Sequence, residues 1–120
     1  MGLKSTFKKI RDDYVVYQVK NATFPEFGES PVERWRITFS GRVQKIGFRL
    51  EVCELAKRLG LTGFCKNLDN GKVLAEFQGP VEKIEYLAAF MESLRRIKIT
   101  DKVVAKLEVK PKEQEFVQRH

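Results

Sequence analysis

The stretch Leu61-Thr62-Gly63-Phe64-Cys65-Lys66-Asn67-Leu68-Asp69-Asn70-Gly71-Lys72-Val73-Leu74-Ala75-Glu76-Phe77-Gln78-Gly79-Pro80 sets the frame for the whole chain. Asn70-Gly71 is the strongest short-range signal for a hairpin, because both central positions of the favoured two-residue turn need positive φ. Leu61–Lys66 on one side and Lys72–Gln78 on the other have strand composition, and Val73, Ala75 and Phe77 recur in period two, as one buried face of a strand requires. Gly79-Pro80 then breaks the chain and sets proline at the start of a helix, where its missing N–H costs nothing.

Working outward, Ile84, Leu87, Ala88, Met91 and Leu94 recur at helical spacing. Val103, Ala105, Leu107 and Val109 then alternate with charged or polar neighbours up to Pro111, which predicts a last strand. Upstream, Trp35, Ile37 and Phe39 alternate with Arg34, Arg36 and Thr38 in a strand that ends at Ser40-Gly41. Phe48, Val52, Leu55, Ala56 and Leu59 follow at helical spacing, predicting a helix from about Gly47 to Leu59 with Gly60 as its stop. The order is strand, helix, strand, strand, helix, strand. With right-handed crossovers it predicts an α+β, ferredoxin-like sandwich: an antiparallel sheet with both helices on one face.

That frame occupies residues 33–120, including a short C-terminal tail, and leaves residues 1–32 as an N-terminal extension. In the extension, Leu3, Phe7 and Ile10 sit among basic residues, as in a short amphipathic helix or an unstructured segment. Tyr14–Val19 is aromatic and β-branched and reads as an extra strand, and Asn21–Pro31 reads as a loop. Met1–Thr6 also matches the loose N-myristoylation pattern, a match so short that chance supplies it often.

The length of 120 residues suits one globular domain with an extension. No apolar run approaches the roughly 18 residues of a membrane span, and the N-terminus lacks the apolar core of a secretory signal, so a cytoplasmic chain without a membrane partner is expected. Cys53 and Cys65 fit no zinc or redox spacing and are expected in the core. The one histidine is His120, which disfavours imidazole-based catalysis and His-rich metal sites. Net charge is +7. The first 33 residues balance, so the excess lies in the predicted sandwich and favours an anionic partner without naming one.

The candidate site is the loop Gly41-Arg42-Val43-Gln44-Lys45-Ile46-Gly47-Phe48-Arg49. Two glycines bracket a turn that runs into a helix N-terminus, where backbone N–H groups are unpaired and the dipole is positive. Arg49 is a cation in or near the first helical turn, which the dipole alone disfavours by about 0.3–1 kcal/mol. An arriving phosphate removes that penalty.

Gly41–Arg49, followed by Asn67 within Gly63–Gly71 and by Gln78-Gly79-Pro80, closely resembles the acylphosphatase family. The correspondence covers about residues 33–110 and leaves the extension outside it. The resemblance implies a small cytoplasmic enzyme of ferredoxin-like fold that hydrolyses the carboxyl-phosphate bond of acyl phosphates without metal or other cofactor. It implies that Arg49 binds the phosphoryl group, that Asn67 orients the attacking water, and that the backbone from about Gln44 through Lys45, Ile46 and Gly47 to Phe48 cradles phosphate. The implied partner is a small-molecule acyl phosphate, with the chain a monomer.

The residue types suit that chemistry. An acyl phosphate leaves as a stable carboxylate, so no general acid is needed. The catalyst must neutralise the phosphoryl oxygens and fix a water, tasks that suit a planar guanidinium and an uncharged carboxamide. One departure is Lys45, where the family usually has glycine; if the position needs positive φ, the loop is strained by about 1–2 kcal/mol and activity is lowered. Two alternatives stand beside the enzyme: a catalytically weak binding or regulatory relative, and a basic nucleic-acid-binding module. Nucleic acid is disfavoured because the third strand shows one aromatic and the RNA-binding signature is absent.

Overall fold

Leu68 N–H donates to the Lys72 carbonyl at 2.8 Å across the Asn70-Gly71 turn, closing the hairpin that the sequence marks most clearly. The computed structural model describes residues 3–120. In chain order it contains α1 (Leu3–Asn21), β1 (Val32–Arg42), α2 (Phe48–Leu59), β2 (Thr62–Asn67), β3 (Val73–Pro80), α3 (Val81–Ser93), β4 (Lys98–Leu107) and β5 (Phe116–Arg119). The strands form one sheet in the order β4-β1-β3-β2-β5. From β1 to β4 this is the expected ferredoxin-like arrangement.

Ile37 and Phe39 of β1, Val73, Ala75 and Phe77 of β3, the apolar stripe of α2 and the Ile84, Leu87 and Met91 face of α3 make one buried core. Gly60 ends α2 in the left-handed region at φ 74°, the conformation that only glycine adopts without strain. No helix among the described residues is long and apolar enough to cross a membrane.

Three expectations need correction. Tyr14–Val19 is not an extra strand: it continues α1, which packs on α2 through Val15 and Val19. The β-branched run is overridden because a helix lets both valines reach α2 from one face. Along another face, Leu3, Phe7, Ile10, Tyr14 and Tyr17 lie exposed at alternating spacings of four and three. Met1 and Gly2, the head of the acylation-type pattern, lie outside the described residues.

Second, the C-terminal tail contains β5, which pairs parallel to β2 from Gly63↔Phe116 to Lys66↔Arg119, so the sheet is mixed rather than antiparallel throughout. Phe116 stacks on Phe77 with ring centroids 5.5 Å apart, and that burial holds the short strand.

Third, β4 starts earlier and ends before Val109. Trp35, Ile37 and Phe39 lie opposite Lys106, Val104 and Lys102, so Val103, Ala105 and Leu107 share the outer face with Arg34 and Thr38. The edge strand is exposed along most of its length, which leaves its alternation without a buried side to report.

The outer face is crossed by the segment joining β4 to β5. Arg34, fully buried, donates to Glu76 at 2.9 Å, to Gln78 at 3.2 Å and to Glu113 at 2.7 Å. Gln78 holds the Lys110 backbone from both sides, donating to its carbonyl at 2.9 Å and accepting from its N–H at 2.7 Å. Burial pushes the Glu76 carboxyl up, but hydrogen bonds from Arg36 and Arg34 outweigh it and hold Glu76 below the usual carboxylate range; Glu113 is lowered in the same way by Arg34.

Carboxyls lowered in the folded state stabilise it above the ordinary range near pH 4, and that stability is lost as pH falls through their folded values. Denaturant titrations should show stability dropping between about pH 5 and 3, with a shallower drop in Glu113→Gln. At neutral pH, Arg34→Met should cost about 3–5 kcal/mol, because it leaves buried Glu76 with Arg36 alone and the half-buried Glu113 without its cation.

Candidate phosphate-binding site

Between β1 and α2 the chain makes a tight turn whose backbone is fixed residue by residue. Lys45 has φ 63° and Gly47 has φ 82°, while Ile46 between them is not in the positive region. Alternation of this kind curls successive N–H groups into a concave nest suited to an anion. Gly47 is also the N-cap of α2, and no side chain caps that end. Among the described residues, none of the backbone N–H groups from Gln44 to Leu50 donates to a protein acceptor. The first internal bond of α2 is Glu51 N–H to the Gly47 carbonyl, 2.9 Å.

The turn's carbonyls and side chains, in contrast, are engaged. Arg96 donates through Nε to the Ile46 carbonyl at 2.9 Å and pairs through Nη2 with Glu51. Burial pushes the Glu51 carboxyl up while Arg96 pulls it down, and burial wins. Gln44 extends away from the helix and donates to the Leu68 carbonyl at 2.8 Å and the Lys72 carbonyl at 2.9 Å, tying the turn to the β2–β3 hairpin. On the other side Arg11 of α1 donates through Nη1 to the Lys45 carbonyl at 3.1 Å.

A cavity of about 730 Å³ opens beside the turn. Lys45, Gly47, Phe48, Arg49 and Asn67 all line it. Gln44 and Ile46 do not: Gln44's side chain is spent on the hairpin, and Ile46 packs against the core. Phe48 sends its ring into the core, 5.1 Å from that of Phe39, and so offers the cavity its backbone.

Arg49 is steadied through Nη1 by the Arg119 carbonyl at 2.9 Å and lies 3.4 Å from His120 Nδ1. Among the described residues its Nε and Nη2 make no recorded hydrogen bond, which leaves a donor edge for an anion. Asn67, at the end of β2, has its side-chain oxygen Oδ1 buried with no hydrogen-bond partner. A buried amide oxygen without a donor is costly, and a water molecule is the smallest group that would satisfy it.

Sequence reading missed Arg11, Arg96, Arg119 and His120. Arg11 lies in the segment read as outside the domain, and the pairing of β5, which had no period-two signature to announce it, brings His120 to the cavity and the Arg119 carbonyl to Arg49. Cys53 and Cys65 are free and buried, and burial pushes both thiols up, the Cys65 thiol despite the nearby Arg49 charge. Neither is a nucleophile at neutral pH. Among the described residues, no group of three or more His, Cys, Asp or Glu is placed to hold a metal ion. A smaller hollow of about 390 Å³ lies near Gly60–Thr62 and Glu115–Val117, where Gly60, Leu61 and Gly63 already spend their N–H groups on the carbonyls of Lys57, Ala56 and Glu115.

The positive φ at Lys45 carries the strain expected of a residue with a Cβ there. Lys45→Gly should therefore raise stability by up to about 1 kcal/mol, read from the denaturant midpoint. An unchanged or lowered midpoint would mean that the turn bears no such strain.

Residues 35–118 match the acylphosphatase family model. An acylphosphatase of Picrophilus torridus is 44% identical over 63 residues, covering 52% of this chain and 78% of that protein. One from a Synechococcus species is 36% identical over 62 residues, 52% of this chain and 53% of that longer relative, so the match spans about half of it. Among solved structures, the acylphosphatase from Bacillus subtilis superposes with a TM-score of 0.68 at 28% identity, covering 73% of this chain and 99% of that one. A turn of unspent amides at the start of α2, an arginine in its first turn and an asparagine across the cavity thus sit within a sequence and a fold of one kind: the chain belongs to the acylphosphatase family.

Proposed function

We propose that the protein hydrolyses the carboxyl-phosphate bond of small acyl phosphates. The observation that carries this reading is the company kept in one cavity by Arg49, the unspent amides at the start of α2 and Asn67, whose buried side-chain oxygen has no partner.

In this reading the phosphoryl oxygens lie in the nest formed by the backbone of Gln44, Lys45, Ile46, Gly47 and Phe48. The free edge of the Arg49 guanidinium meets the same oxygens with charge-assisted bonds. Those donors are already in place and need no reorganisation, and charge spread over the equatorial oxygens is what they stabilise. Asn67 Oδ1 accepts a hydrogen bond from a water and aims its lone pair at phosphorus, opposite the departing carboxylate. Being uncharged, the carboxamide does this without repelling the phosphoryl oxygens. As water bonds to phosphorus the bond to the acyl oxygen breaks, and the carboxylate leaves with the electron pair and requires no proton. The reading takes the chain as a cytoplasmic monomer that works without metal, and the free, buried Cys53 and Cys65 are compatible with a reducing compartment.

Hydrolysis of benzoyl phosphate and acetyl phosphate tests the proposal. The unsubstituted chain should turn both over; Arg49→Gln should lose about 10²–10³-fold in kcat, and Asn67→Ala about 10²-fold, through loss of water alignment. Absence of turnover in the unsubstituted chain, or full turnover in Arg49→Gln, would refute it.

A further inference from the structure

Helix α1 lies outside the matched family region, yet one of its side chains holds the nest. Arg11 donates through Nη1 to the Lys45 carbonyl at 3.1 Å. Its own guanidinium is held by Asp12, which accepts from Nε at 3.1 Å and from Nη2 at 2.8 Å. The same arginine runs against Gly47: a Cβ built there would come within 3.2 Å of Arg11 Nε and 3.3 Å of Val15 Cγ2. Helix α1 is also anchored away from this contact, by Val19 in the core and by Arg58 Nη1, which donates to the Val19 carbonyl at 2.6 Å and to the Ala22 carbonyl.

The consequence follows from peptide geometry. The Lys45 carbonyl and the Ile46 N–H belong to one planar trans unit and point in opposite directions. Holding the first fixes the second. A flip of this unit turns ψ of Lys45 and φ of Ile46 and leaves the positive φ of Lys45 (63°) as it is, so the grip on the Lys45 carbonyl, not strain, decides its orientation. A flip would exchange the Ile46 N–H for a carbonyl oxygen in the nest and set a negative dipole against a phosphoryl oxygen. The Ile46 carbonyl, which fixes the Gly47 N–H in the same way, is held by Arg96. Two successive peptide units of the nest, Lys45–Ile46 and Ile46–Gly47, are therefore each pinned by an arginine that is itself braced by a carboxylate, Asp12 or Glu51.

We propose that Arg11, braced by Asp12, is a positioning residue for phosphate binding: by gripping the Lys45 carbonyl it locks the Lys45–Ile46 peptide so that the Ile46 amide stays available to the anion. The segment before β1 is then part of the working site. The proposal rests on the acyl phosphate reading for what the nest binds.

The test is a calorimetric titration of inorganic phosphate into the full chain and its variants, each accompanied by a thermal melt and by kcat and KM for benzoyl phosphate. A hydrogen bond to a charged donor is worth enough that Arg11→Ala should weaken phosphate binding by about ten- to a hundredfold, with KM raised and kcat lowered. Arg11→Lys should recover part of the affinity, since an ammonium still donates to the carbonyl but cannot bridge to Asp12. Asp12→Asn, which leaves Arg11 present but loosely oriented, should give an intermediate loss and covers the case in which Arg11→Ala fails to fold. Val19→Ala loosens α1 without touching the turn; it should lower the melting temperature and leave phosphate affinity within about twofold. Folded Arg11→Ala binding phosphate within about twofold of the unsubstituted chain would overturn the proposal. So would equal losses in Val19→Ala and Arg11→Ala, which would mark α1 as a cover only. Phosphate binding that depends on Arg11 in a chain that hydrolyses no acyl phosphate would sink the functional reading and leave this one standing; a chain that binds no phosphate would overturn both.

Discussion

A backbone cradle for a phosphoryl group works only if its amides are spent on nothing else, and the fold around the β1–α2 turn enforces that condition. A helix start supplies the donors, and the absence of a capping side chain keeps them free. The surrounding elements act on the turn's carbonyls and side chains instead: Gln44 reaches to the hairpin, Arg96 takes the Ile46 carbonyl, and Arg11 takes that of Lys45. None of these anchors spends a backbone N–H of the turn. The donors are left without protein acceptors in a conformation that two positive-φ residues, Lys45 and Gly47, make possible.

The other half of the site depends on the sheet. Asn67 ends β2 opposite Val73, and β5 pairs with the outer edge of β2, bringing the Arg119 carbonyl to Arg49. The segment that leads to β5 crosses the outer face and is held there by Arg34, Gln78 and Glu113. A buried ionic cluster on one face thus helps to place the strand that steadies the guanidinium at the sheet's end. It also covers outer-face surface of the sheet that a nucleic-acid reader would need open for stacking bases.

The central fold was legible because its signals are local. Asn70-Gly71, the alternation from Trp35 to Phe39 and the stripes of α2 and α3 each carry a period or a turn requirement within a few residues. What was not legible depends on partners distant in sequence. Tyr14–Val19 has strand composition, and only the presence of α2 makes a helix the better way to bury Val15 and Val19. Val103, Ala105 and Leu107 alternate cleanly, but on an edge strand whose outer face they share, alternation does not identify a core. In the site, Arg49, Asn67 and the turn could be named from a motif, whereas Arg11 and Arg96 act through side-chain reach to backbone oxygens, which no spacing encodes.

Amide chemical shifts recorded while inorganic phosphate is titrated into the isotope-labelled chain report on the central claim with one probe per residue. The account predicts that the largest, saturable changes fall on the N–H groups from Gln44 to Leu50 and on the Arg49 side chain. Phosphate that left those signals in place while shifting amides elsewhere, or that shifted none, would contradict it.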